Sequence, residues 1–227
     1  MVASPEREFE GFPESGLRFL TALAKNNERA WFNERKSSYL EDVQAPLHAL
    51  VSAVNEALRA KRIPFASDPR RLSFRIYRDT RFSPDKSPYK THASAVLYRH
   101  GDRSVPGVLY IHIDPAESFL AAGFHMPDNE VLRELRAAIA RDPKSFRSMI
   151  AKLERAGLSM RAGEPLTRLP RGFENVDRSV AEYVKRKSFV VSQALEPAHV
   201  RSATLVQRVV SFAKDAIPLL EWGWKGR

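Results

Sequence analysis

Apolar residues recur every three or four positions through the first third of the chain. They then recur every second position from about 72 to 124, and every three or four again towards the C-terminus. Leu47, Leu50, Val51, Val54 and Leu58 fall at i, i+3, i+4, i+7 and i+11, which predicts a helix over 46–61 with a single apolar stripe. Upstream, LRFLTALAKNN predicts a helix capped by Ser15 and stopped at Asn26-Asn27. A second helix is expected from about Glu28, carrying Trp31, Phe32 and Tyr39, with Trp31 and Phe32 as core residues.

The change to period two marks strands. Leu72, Phe74 and Ile76 alternate with Ser73, Arg75 and Tyr77, the pattern of a half-buried strand. Ser83-Pro84-Asp85-Lys86 reads as a turn with proline at its second position. Further strands are expected at 91–99, 107–114 and 117–124, separated by a turn at 100–103 and a break at Pro115-Ala116. Connections this short join antiparallel neighbours, so the strands form a meander of about four. Helices return after Pro127, the first capped by Asp128-Asn129 and the next opened by Asp142-Pro143 and closed at Gly157. A Pro- and Gly-rich loop over 158–176 precedes a short helix at 179–187 and a fifth strand at 188–195. A last amphipathic helix at 198–221 is expected to kink near Pro218. The fold class that follows is α+β, an antiparallel sheet flanked by N-terminal and C-terminal helices. Residues 1–11 read as a flexible N-terminal tail and 12–227 as a single domain.

Composition narrows the function classes. A hydrophobic fraction of 43% and a charged fraction of 28% are those of a globular chain. The absence of cysteine excludes disulfides, thiolate metal sites and cysteine nucleophiles, and fits a reducing compartment. The opening MVASPEREFEGF lacks the apolar core of a secretory signal. No apolar run reaches the roughly 20 residues that span a bilayer. A cytoplasmic protein without a membrane partner is therefore expected, and no oligomeric state is implied.

Charge then points to a place. The formal net charge is +10, and residues 59–103 hold twelve Lys and Arg against four Asp and Glu, whereas the rest of the chain holds twenty-five against twenty-three. Concentration of that kind favours an anionic partner over a merely soluble surface. It centres on RIYRDTRFSPDKSPYKTH at 75–92, where cations are interleaved with Tyr77, Phe82 and Tyr89. Ordering such a segment crowds like charges, which destabilises it unless an anion, internal or external, offsets them. Arg75, Arg78, Arg81, Lys86, Tyr89 and Lys90 are the candidate ligand-binding residues, with Asp79 able to hold a guanidinium in one direction. Asp79, His92 and His112 are the candidate proton carriers if chemistry occurs.

Three readings of this segment follow. It is a site for a phosphate-containing or other anionic small molecule, with catalysis left open. Alternatively it binds nucleic acid, through the same cations on phosphates and Tyr77, Tyr89 or Tyr98 for stacking. In the third, Arg and Asp pair only with one another and fix the local structure. A second basic grouping, Arg168, Arg171, Lys185, Arg186 and Lys187, reads as a solvated face. No cofactor is expected, since P-loop, GxGxxG and GxSxG motifs are missing. No metal site is expected either. Tyr110, His112 and Asp114 share one strand face opposite Leu109, Ile111 and Ile113, but His112 and Asp114 supply two ligands and spacing offers no third.

The pattern RxxRDxRFxxDKxPYKTH, followed by PGVLYIHIDP and SFLAAGFHMP, resembles the DUF2461 family. Arg75, Arg78, Asp79, Arg81, Phe82, Lys86 and Tyr89 match its signature positions, and the likeness extends from Phe12-Pro13 to the final helix. The resemblance implies membership of that family. It implies no reaction and carries over no catalytic residue.

Overall fold

The computed structural model describes residues 8–68, 76–79, 81, 83–160 and 163–226. The alternating segments become β2 (Ala93–Arg99), β3 (Val108–Ile113) and β4 (Ser118–Phe124). The two-residue strand β1 (Phe65–Ala66) pairs with β2, and β5 (Phe189–Leu195) pairs with β4. All four pairings are antiparallel, in the order β1-β2-β3-β4-β5. The α+β architecture expected from the hydrophobic pattern is therefore the observed one, with five strands among the described residues.

Register decides which face of the sheet is buried. Ala93, Ala95 and Leu97 oppose Ile113, Ile111 and Leu109, while Leu120 opposes Ile111 and Ala122 opposes Val191. All of these are buried, so one side of the sheet is continuously apolar. On it pack α4 (Ala45–Ala60), through Leu47, Leu50, Val51, Val54 and Leu58, and α9 (Leu205–Lys225). Fully burying each such Leu, Ile or Val contributes about 1.5–3 kcal/mol. The opposite side carries Tyr110, His112 and Phe119, all half-buried.

The remaining helices are α1 (Glu14–Lys25), α2 (Arg29–Glu34), α3 (Lys36–Tyr39), α5 (Asn129–Arg141), α6 (Pro143–Arg155), α7 (Ala181–Val184) and α8 (Pro197–Val200). Asp128 caps α5 by accepting from the Val131 amide at 2.8 Å, and Asp142 caps α6 by accepting from Ser145 at 2.9 Å, as their sequence positions predict. Arg136 on α5 is buried and donates to the carbonyls of Val184 (2.8 Å) and Arg186 (3.0 Å), satisfying the end of α7.

Several expectations are corrected. Ser15 is not a cap: α1 begins at Glu14 behind Pro13, with no side-chain capping bond. The helix from Glu28 is broken into α2 and α3, and a π-helical turn, Leu40–Gln44, carries the chain into α4. Gly16 of α1 sits against that turn, where an added Cβ would lie 2.1 Å from the Asp42 carbonyl oxygen. The last helix is split, and α9 continues through Pro218 to Lys225 because Ala216, Leu219 and Leu220 around the proline are all buried. Residues 69–75, which include most of the expected first strand, lie outside the described residues. Among the described residues from 76 to 81, Tyr77 alone has strand pairing, a bridge to Tyr89, and the strand on the outer side of β2 in the described sheet is Phe65–Ala66. Residues 1–7 of the expected tail also lie outside the description. Phe9 within that tail is buried, its ring centroid 5.9 Å from that of Phe12. Among the described residues no helix is long and apolar enough to cross a membrane.

Candidate functional site

The described residues between 76 and 90 belong to a loop whose ends are tied together. Arg78 donates its amide to the Pro88 carbonyl (2.9 Å) and Lys90 donates to that of Ile76 (2.7 Å), on either side of the Tyr77–Tyr89 bridge. The N-terminal helices grip the same spot. Asn27, between α1 and α2, donates Nδ2 to the Tyr89 carbonyl (2.9 Å) and accepts the Tyr89 amide on Oδ1 (3.0 Å). The Tyr89 ring, 2% exposed, stacks on Phe32 with centroids 4.1 Å apart. Tyr89 thereby anchors the loop to the core, with its ring packed against Phe32.

Charge is partly neutralised inside the loop. Arg78 Nη1 pairs with Asp85, whose other oxygen accepts the Ser87 amide at 2.9 Å. Hydrogen bonds from Ser87 and then from Arg78 hold the Asp85 carboxyl well below the usual carboxylate range. Arg81 grips Asp79 with Nε and Nη2 at 2.9 and 2.7 Å, and these bonds bring the Asp79 pKa down to about 2. Asp79 is thus ionised throughout the neutral range and unsuited to proton transfer there. The Arg81–Asp79 pair lies in water, with Arg81 78% exposed, where such pairs contribute little. Arg78 differs, being 29% exposed. Among the described residues its other nitrogens meet no acceptor, although a guanidinium offers five N–H donors.

Beside the loop opens a cleft of about 510 Å³ lined by Ala24, Asn27, Arg78, Asp79, Asp85, Ser87, Tyr89, Lys90, Thr91 and His92. Its volume is ordinary for a small-molecule site, about 300–1,000 Å³. Burial lowers the pKa of the Lys90 ammonium. Burial, then the His112 ring and Lys90, bring His92 down to about 4, so it stands neutral at neutral pH. Arg75 lies outside the described residues, and Lys86 is exposed at the loop's outer side. A wider cleft of about 840 Å³ opens between α4 and β1, lined in part by Asn55, Glu56, Arg59, Arg62 and His100. There Asn55 already holds Ser67 through both ends of its side-chain amide (2.6 and 3.1 Å), and none of the described motif residues lines it.

His92 is also where the cleft meets the sheet. It precedes Ala93, which opposes Ile113, so the register continued by one step sets His92 across from Asp114. The His92 and His112 rings lie 4.3 Å apart, and Phe119 stacks on the far side of His112 at 4.6 Å. The Tyr110 hydroxyl is 2.9 Å from His112 Nδ1. Asp114 accepts the amides of Ala116 (2.8 Å) and Glu117 (3.3 Å) on Oδ1. Ligand atoms of His92, His112 and Asp114 all lie within 4.8 Å of one another. Spacing along the chain supplies two of these three, and the third comes from strand register.

The family model for a conserved hypothetical protein, DUF2461, matches residues 15–222. The chain belongs to the DUF2461 family. The match covers nearly all of the helices, the sheet and the motif segment, and three of the signature residues, Arg78, Asp79 and Tyr89, line the cleft. No curated protein matches the chain, and no solved structure does.

The structure gathers Arg78, Asp79, Tyr89, Lys90 and His92 at one cleft. It leaves Arg81 and Lys86 on the outer surface of the loop, and His112 on the sheet behind His92. Asn27, Ser87 and Thr91 escaped the sequence reading. Asn27 stands 62 positions from the residue it holds and carries no local signal. Of the second basic grouping, Arg186 is engaged in structure, donating to the Met160 carbonyl at 3.1 Å, and Lys185 pairs with Glu182.

Proposed function

We propose that the 76–90 loop and the start of β2 form a binding site for a phosphate-containing or otherwise anionic small molecule. The observation that carries this reading is the convergence of Arg78, Lys90, His92 and two hydroxyl residues, Ser87 and Thr91, on one cleft of ordinary ligand size. Arg78 supplies directed N–H donors and Lys90 a point charge in a partly desolvated setting, where each charge-assisted bond is stronger than at an open surface. Asp85 orients Arg78 by pairing with one of its nitrogens. Arg81 and Lys86, both exposed on the same loop, add positive potential that steers an anion towards it.

Titration of the protein with inorganic phosphate, sugar phosphates, mononucleotides and a short oligonucleotide, followed by calorimetry and thermal shift, tests the reading. A small phosphate ester should bind the wild type, and Lys90→Ala should weaken it about tenfold without unfolding the protein. No binding by any of these ligands, with Arg78→Ala strongly destabilised, would leave the Arg–Asp pairs as structural ties only. The nucleic-acid reading draws on one observation, the 56% exposure of the Tyr77 ring beside Arg78. It is favoured only if the oligonucleotide binds tighter than the mononucleotide, with a steep loss in salt.

A further inference from the structure

From the sheet face behind the cleft, we infer that His92, His112 and Asp114 form a binding site for a first-row transition-metal dication of the zinc–iron series. Two imidazoles and one carboxylate are a donor set that such ions take, with further positions left for water or an anion. The three ligand atoms already lie within 4.8 Å of one another, so small side-chain rotations bring all three to the roughly 2.0–2.2 Å at which a single ion is bound. Strand pairing holds them there. His112 and Asp114 share a face of β3 by the two-residue period, and the Ala93–Ile113 register brings His92 opposite Asp114.

The surroundings also fit a metal centre. The Tyr110 hydroxyl fixes His112 at Nδ1 (2.9 Å), which leaves Nε2 as the nitrogen able to bind a metal. Asp114 is oriented through one oxygen by two turn amides, and its second oxygen takes no hydrogen bond among the described residues. These are the outer contacts that hold metal ligands in place. Lys90 and Arg78, whose charges reach His92, oppose a bare dication, so the site favours an ion that keeps an anionic ligand on its cleft side. The inference stands without the anion reading, because Asp114 and His112 are not among the residues that line the cleft.

The test is titration of chelator-treated full-length protein with Zn(II) by calorimetry, and with Co(II) by its visible d–d absorption. One Zn(II) per chain and Co(II) bands of low coordination number are expected. Asp114→Asn retains the oxygen that caps the turn but loses the anionic ligand, and should weaken Zn(II) at least about tenfold. His112→Gln, with its fold checked by circular dichroism, should do the same. Wild type and both variants binding Zn(II) alike would overturn the site and assign any uptake to other histidines. Phosphate titration of Asp114→Asn without metal separates the two proposals. Phosphate binding kept while Zn(II) is lost supports the metal site. Zn(II) unaffected by the substitution sinks it, whatever phosphate does.

Discussion

Asp85 is the residue at which a structural tie and a binding site make opposite demands. Its carboxylate occupies one nitrogen of Arg78, so an incoming anion must share that guanidinium or displace the acid. In Asp85→Asn the amide oxygen still accepts from Ser87, and the turn is kept while the negative competitor is gone. Phosphate affinity should then rise by about threefold to tenfold, with a modest loss of thermal stability because the Asp85 end of the pair is 56% exposed. Unchanged or weaker phosphate binding would mean that Arg78 serves the loop alone. The pH sense is fixed by the depressed acids. Asp79 and Asp85 ionise more readily folded than unfolded, so their pairs stabilise the loop above the ordinary carboxylate pKa of about 4. That contribution is lost as pH falls through the folded values. Loop ordering and Arg78 orientation should therefore be pH-independent through the neutral range.

At the scale of elements, the sheet rests on close approaches that only glycine permits. Gly123 in β4 has φ +135°, and a Cβ there would lie 2.0 Å from the Phe189 carbonyl oxygen on β5. Gly123→Ala adds backbone strain to overlap with a neighbouring strand, and should cost about 2–4 kcal/mol in denaturant unfolding. Survival of full stability would show that β5 can shift away. The same strands explain what was legible beforehand. Leu109, Ile111 and Ile113 alternate cleanly because one face of β3 is buried and the other is only half-covered, so period two marks the strand and its two faces. Asp128 and Asp142 announce α5 and α6 because capping is local chemistry. The edge strand β1 is two residues long, too short to show any period. The π-helical turn ahead of α4 leaves no mark either, since its fit depends on Gly16 of α1, more than twenty positions away. The candidate site divides likewise: the cations announce themselves in one run of sequence, whereas the His92–Asp114 apposition exists only once β2 and β3 are in register.

Across the whole molecule, two proposed sites meet at His92, and thermodynamics then constrains both. His92 lines the cleft and belongs to the metal cluster, so an anion in the cleft sits beside the ion. Lys90 and Arg78 repel a dication when the cleft is empty, and an anion between them reverses that interaction. The sign of the coupling is therefore positive. Zn(II) should raise the affinity for phenyl phosphate by a factor on the order of 5–150, the usual range for coupled sites, and phenyl phosphate must raise Zn(II) affinity by the same factor. Calorimetric titration of each ligand with and without saturating amounts of the other measures both factors. Lys90→Ala should tighten Zn(II) alone, weaken phenyl phosphate alone, and shrink the coupling, because the repulsion that the anion relieves has been removed. If both factors equal one while each ligand binds, the two sites are independent and His92 does not connect them. A factor below one would place the anion where it competes with the ion for His92, leaving a cleft that holds one ligand or the other.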